Sequence, residues 1–217
     1  MYFSQNIVFA FHGCDQSIAN EVFNNQVKLK DSTNKHDWLG HGVYFWQDDP
    51  ERALDWAKND AKVSKPAVVG AVIHLGKCLD LLNFKMASGV KDVYSAMCQD
   101  LGDLGQDIPV NLKKAGDEFF GGRGLDCAVI EYVHTVLEKS ILNDLGITKS
   151  KYNSKELIQK HPLYHDSVRG MFPEGNELYP NAGFREKNHI QICVRNPNCI
   201  LAYFKPIQFD PKYKQFS

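Results

Sequence analysis

Apolar and polar positions fall in short blocks along this chain, and the period changes from block to block. Ile7 to Phe11 is an apolar run of strand formers that stops at His12-Gly13, which predicts a strand delivering His12 to a turn. Asp15 then caps a predicted helix to about Asn24, with Ile18, Val22 and Phe23 as its buried face. Lys28 to Trp38 is polar and reads as a loop, and Val43 to Trp46 as a short strand. Asp48-Asp49-Pro50-Glu51 is a strong helix start, with a cap, a preset φ and an acid in the first turn. That helix carries Ala53, Leu54, Trp56, Ala57 and Ala61 at roughly helical spacing, which puts Trp56 in the core. Ala67 to Leu75 is continuous and valine-rich, as a buried strand is.

Further on, Val90 to Leu104 predicts an amphipathic helix, and Gly121 to Gly124 a flexible loop with Arg123 as its cation. Asp126 caps a predicted helix to about Ser140, and Ser154 a short one within the polar stretch Lys149 to Lys160. His165 to Arg185 has little period but many glycines, prolines and aromatics, which predicts a long functional loop. His189 to Val194 alternates: Ile190, Ile192 and Val194 face a core, while His189, Gln191 and Cys193 share the other face. Cys199 to Phe204 reads as a last strand. Without repeat or linker, the expectation is one α+β domain over residues 1–217 with a helical insertion at about 85–160.

Composition narrows the function classes. Apolar content of 43% and charge of 24% are ordinary for a globular protein. A net charge of −1 gives no global cationic field for polyanions. From Lys139 onward, however, twelve Lys and Arg face seven Asp and Glu, against thirteen and nineteen before it. This bias permits a basic face in the C-terminal half. The six cysteines form no C-x-x-C pair, which argues against a zinc site and for reduced core thiols; no metal is expected. The N-terminus lacks a secretory pattern, and no run approaches the ~20 apolar residues of a membrane span. The expected setting is cytoplasmic, with no membrane partner.

The chemistry concentrates at Leu39-Gly40-His41-Gly42-Val43-Tyr44-Phe45-Trp46. Two glycines there let backbone come close to a ligand, and Tyr44 and Phe45 add flat apolar faces that suit a ring such as nicotinamide. Read singly, Tyr44 is as well a core aromatic, His12 a turn histidine, Gln191 a plain strand residue, and Arg169 either a phosphate contact or a structural partner.

Read together, Phe11-His12-Gly13, Gly40-His41-Gly42-Val43-Tyr44-Phe45 and the late strand bearing Gln191 form an ordered set. This set resembles the ADP-ribosyltransferases of the diphtheria-toxin and poly(ADP-ribose)-polymerase branch, which carry a His-Tyr-Glu triad on three strands. The likeness runs from about Val8 to Phe204, includes the Val69 to Leu82 segment, and leaves Lys85 to Lys160 unplaced. It implies two packed, mainly antiparallel sheets around an NAD cleft. It also implies that His12 bonds the adenosine ribose, Gly13 offers backbone to the nicotinamide amide, and Tyr44 stacks on the ring, with Gly42 and Phe45 beside it. NAD is then a co-substrate whose glycosidic bond breaks through an oxocarbenium-like state.

Gln191 stands where the family places its catalytic Glu, and an amide is neither charged nor a base at pH 7. Either Glu174 or His189 deprotonates the acceptor, or the acceptor needs little help, or the site only binds. The resemblance implies transfer of a single ADP-ribose. The compact size is similar to toxin members of toxin–antitoxin or phage-defence systems, with a neutralising antitoxin as partner. Arg169 to Gly175, with Tyr179 and Phe184, offers a cation, aromatics and a carboxylate to an acceptor, nucleic acid (RNA) or protein, with RNA favoured. A NAD glycohydrolase and a non-catalytic NAD or ADP-ribose module are the alternatives.

Overall fold

A computed structural model describes residues 6–59, 63–113, 118–148 and 154–207. Ala61 and the stretch 149–153 lie outside the described residues. The chain is a mixed α+β protein. Its strands are β1 (Ile7–Asp15), β2 (Val43–Gln47), β3 (Pro66–His74), β4 (Cys78–Asp80), β5 (Asn111–Lys113), β6 (Phe120–Arg123), β7 (Ser167–Phe172), β8 (His189–Val194) and β9 (Ile200–Phe204). Its helices are α1 (Gln16–Phe23), α2 (Pro50–Asn59), α3 (Phe84–Asp103), α4 (Gly124–Asp144) and α5 (Ser154–Lys160). In place of two packed sheets, the strands form one seven-stranded sheet in the order β4-β7-β8-β2-β1-β3-β9 and a separate β5-β6 ribbon. All pairs in the large sheet are antiparallel except β4 with β7.

Several expectations shift by a few residues for identifiable reasons. His12 lies inside a strand rather than at a turn, because β1 keeps its pairing with β3 through Asp15↔Pro66. Asp15 does cap α1, accepting from the Ser17 N–H at 3.0 Å, but Ala19 and Val22 are the buried residues and Ile18 is exposed. Trp56 is exposed rather than core, lying on the face of α2 turned towards Trp46, with ring centroids 5.6 Å apart.

Gly121 and its neighbours form strand β6, which pairs with β5, rather than a flexible loop. The cap of α4 comes from outside its own sequence: the Asn111 side chain accepts the Leu125 and Asp126 N–H groups, and Asp126 instead pairs with Arg123. The predicted loop from His165 is interrupted by β7, which inserts between β4 and β8.

The bias of charge between the halves becomes pairing rather than a basic face. Arg169 binds Asp80, Arg185 binds Glu118 and Lys187 binds Asp55, each C-terminal cation meeting an acid from the earlier part of the chain. The thiols of the six cysteines are free, and burial raises those of Cys14, Cys78, Cys127, Cys193 and Cys199. Among the described residues no helix is long and apolar enough to cross a membrane.

Where α4 meets the segment leading into β7, His134 is buried with both ring nitrogens unpartnered, beside His165, Arg195 and Glu138. Burial, then the Arg195 and His165 charges, push its pKa down to about 2. Burial also lowers His165, His12 and His189. The unfolded chain therefore binds protons that the native state refuses. Stability from these groups is full above the ordinary histidine value of ~6.5 and is lost as pH falls below it. His134 alone is expected to remove about 1.4 kcal/mol per pH unit below that point. Urea melts at pH 7.5 and pH 5.5 measure the slope. His134→Leu should flatten it, and an unchanged slope in that variant would show that His134 titrates normally.

Candidate functional site

β1 and β2 are neighbours at the centre of the sheet, yet among the described residues they pair at Ala10↔Gln47 and Phe11↔Trp46 alone. Beyond Phe11, β1 remains bound to β3 and β2 remains bound to β8. The sheet forks there, and the fork opens into a cleft of about 630 Å³. That volume is ordinary for a small-molecule site, which runs to roughly 300–1,000 Å³.

His12 stands at the fork, with Nδ1 2.8 Å from the Tyr44 carbonyl oxygen. A carbonyl only accepts, so Nδ1 carries the hydrogen and Nε2 is left as an acceptor. Burial holds the ring below its ordinary pKa, so it is neutral at pH 7. A neutral imidazole with a free acceptor nitrogen can receive a hydroxyl such as that of a sugar.

Tyr44 also lines the cleft, and its hydroxyl is fixed twice: it donates to the Gly40 carbonyl at 2.6 Å and accepts from the Leu39 N–H at 2.8 Å. Burial raises the phenol, so it stays protonated at working pH. Gly40, at φ +77°, makes this turn around the hydroxyl possible. Gly40 thus serves to hold Tyr44, while Gly42 borders the cleft.

On β8, Gln191 lies opposite Trp46 of β2, and both line the cleft. Its amide has no hydrogen bond among the described residues and is free to bind a ligand. His12, Tyr44 and Gln191 are therefore brought to one cavity from three consecutive strands of the sheet.

Glu174 comes from the loop after β7. Its carboxylate accepts from Arg52 Nη2 at 2.6 Å and borders the cleft.

Other residues named from sequence are placed differently. His189 shares the face of Gln191, but its side chain is wholly buried beside Trp38, Trp46 and Phe172. Its Nδ1 donates to the Lys187 carbonyl at 2.7 Å, leaving Nε2 buried without a partner. Such a ring has no route to an acceptor proton. Phe45 borders the cleft from below, 0% exposed and packed in the core beneath the sheet. Gly13 is taken up by packing: a Cβ there would sit 2.1 Å from the Ala53 carbonyl of α2. Gly42 does border the cleft and also meets a packing constraint, since a Cβ would lie 2.5 Å from the Val194 carbonyl. Arg169 is consumed by Asp80 and does not line the cleft.

The sequence reading missed Arg52, Asp55, Trp38, Lys30 and Lys187, all of which line the cleft. Arg52 is 9% exposed, pairs with Asp55 as well as Glu174, and lies 5.7 Å from the Trp46 ring centre. Lys187 closes the chain of charges on Asp55 at 2.8 Å, and that hydrogen bond is the main cause that holds Asp55 below the usual carboxylate range. Arg52 and Asp55 are one turn apart on the helix that follows the glycine motif, a spacing that could have drawn notice. Lys30 is exposed and makes no ion pair or hydrogen bond among the described residues. A free cation at a cleft rim suits a phosphate.

A second groove of about 1070 Å³ adjoins the cleft. The loop after β7 forms one wall, with Tyr179 and Arg185, and Phe119, Phe120 and Gly121 form the other. Trp38, Gly121, Glu174 and Lys187 border both cavities. Comparison with protein-family models, curated proteins and solved structures finds no match. What defines the site is its own geometry: a forked sheet, a neutral histidine, a clamped tyrosine and a carboxylate between two connected cavities.

Proposed function

We propose that this chain is a NAD-dependent mono-ADP-ribosyltransferase, acting in the cytoplasm as the toxin of a toxin–antitoxin or phage-defence system, with RNA as its acceptor. The observation that carries the reading is the convergence of His12, Tyr44 and Gln191 on one cleft at the fork of the sheet. In that cleft, His12 Nε2 receives a ribose hydroxyl, the Tyr44 ring stacks on nicotinamide, and Gln191 holds a hydroxyl of the reacting ribose. Lys30 supplies positive charge for the pyrophosphate.

The reaction breaks the bond between ribose C1′ and the nicotinamide nitrogen. Nicotinamide leaves with the electron pair and becomes neutral. An acceptor oxygen or nitrogen then bonds C1′ and gives up its proton. Glu174 lies where the two cavities meet, so it can take that proton without contacting the leaving group. Holding both reactants supplies much of the rate, and proton removal adds typically 10²–10⁴-fold.

The adjoining groove supports RNA through its rings. Trp38, Phe120 and Tyr179 offer faces on which unpaired bases stack. Its carboxylates are already engaged, Glu118 with Arg185 and Glu177 and Glu186 with loop N–H groups.

The test is incubation of the purified protein with NAD radiolabelled in its adenylate and with cell extract, followed by nuclease or protease digestion. Label sensitive to nuclease is expected. Label sensitive to protease alone would replace RNA by protein as the acceptor. Nicotinamide release with no label transferred would make the chain a glycohydrolase, and NAD binding without release a non-catalytic module, the reading that the uncharged Gln191 favours.

A further inference from the structure

We infer that Glu131, on helix α4 of the segment between β4 and β7, is a positioning residue for the nicotinamide corner; this rests on the transferase reading above. The Tyr44 hydroxyl is held by the Leu39 N–H and the Gly40 carbonyl, so the ring is only as fixed as that turn. The turn is itself held from outside. The His41 N–H donates to Glu131 Oε1 at 2.8 Å, and His41 Nδ1 lies 3.4 Å from Oε2. Glu131 Oε1 also fills the space beside Gly40, where a Cβ would come within 2.5 Å of it.

The same helix and the ribbon before it grip the preceding loop at two further points. Cys127 Sγ donates to the Asn34 carbonyl at 3.5 Å, and the Trp38 indole donates to the Gly121 carbonyl at 3.2 Å. Those contacts place the cleft wall, whereas Glu131 bonds the residue next to Gly40, whose carbonyl also accepts from the Cys193 thiol. Glu131 does not line the cleft, so its effect on NAD passes through the turn. A hydrogen bond to a carboxylate is stronger than one between neutral groups, which suits a clamp that is 30% exposed to competing water.

The experiment measures nicotinamide release against NAD concentration for the full chain and for Glu131→Ala, Glu131→Asp and Glu131→Gln. Loosening the stack weakens substrate and transition state together, which raises KM more than it lowers kcat. Ala is expected to raise KM about tenfold with kcat within about threefold. Asp, which draws the carboxylate back by one methylene, should raise KM in the same direction and covers the case in which Ala fails to fold. Gln keeps the oxygen that receives the His41 N–H, and should return KM to within about twofold of the parent. An unchanged KM in Asp, or a KM in Gln as high as in Ala or Asp, would overturn the positioning role. Absence of release from the parent protein would instead count against the transferase reading itself.

Discussion

Tyr44→Ala is expected to lower nicotinamide release by about 100-fold or more, the largest loss from any single change in the cleft. Two losses combine. The flat face that meets the nicotinamide ring disappears, and so does the hydroxyl that holds the turn from Leu39 to Gly40. The Leu39 N–H is then left without its partner, at about 1–3 kcal/mol for a buried group unsatisfied, while the Gly40 carbonyl keeps only the Cys193 thiol. A ring-sized void adds to this, so Ala also costs stability, about 3–5 kcal/mol by analogy with buried aromatic truncations. Tyr44→Phe separates the two effects. It keeps the face and removes only the hydroxyl, and about tenfold of the release rate should be lost. Because burial keeps the phenol protonated, neither variant should change the pH profile above pH 7. Steady-state release and urea melts on both variants make the comparison. Full activity in Ala would remove Tyr44 from the site.

Much of the sheet was legible, because its inner strands are continuous or alternating apolar runs with clear ends. β2, β3 and β8 fall within a residue or two of their patterns. β7 was not legible, since Ser167-Val168-Arg169-Gly170-Met171-Phe172 mixes a glycine and a cation into a short run. Gly170 is tolerated there because Leu39 and Phe172 occupy the space of its missing side chain. The site was legible where local chemistry announces it, in His12, Tyr44 and Gln191. It was illegible where two distant segments make it. Arg52 and Glu174 are 122 positions apart, and nothing in either segment names the other. The glycines illustrate a subtler limit. Gly13 serves packing against α2, whereas Gly42 both borders the cleft and packs against Val194, so the same residue type answers two different constraints. The charge bias had the same ambiguity. Its excess cations are spent on Asp55, Asp80 and Glu118, and the reading of an RNA acceptor rests on rings rather than on a basic face.

Glu174→Gln is expected to lower transfer to the acceptor by about 100-fold while leaving NAD affinity within about threefold. The substitution is nearly isosteric, and the amide oxygen can still accept from Arg52 Nη2, so the buried guanidinium keeps a partner. What disappears is the ability to take a proton at the boundary of the two cavities. Water needs the same help, so hydrolysis of NAD should fall too, though less steeply if bulk solvent reaches C1′ from the open cleft. His189 cannot substitute, because its free nitrogen is buried away from both cavities. Gln191→Glu makes the complementary test. It places a carboxylate beside Trp46 on the cleft floor, where it can stabilise positive charge on the ribose. If Glu174 is the base, Gln191→Glu in a Glu174→Gln background speeds nicotinamide release without restoring transfer. Restoration of transfer by that double variant would move the base from the loop to the strand, and Glu174 would then be only the anchor for Arg52.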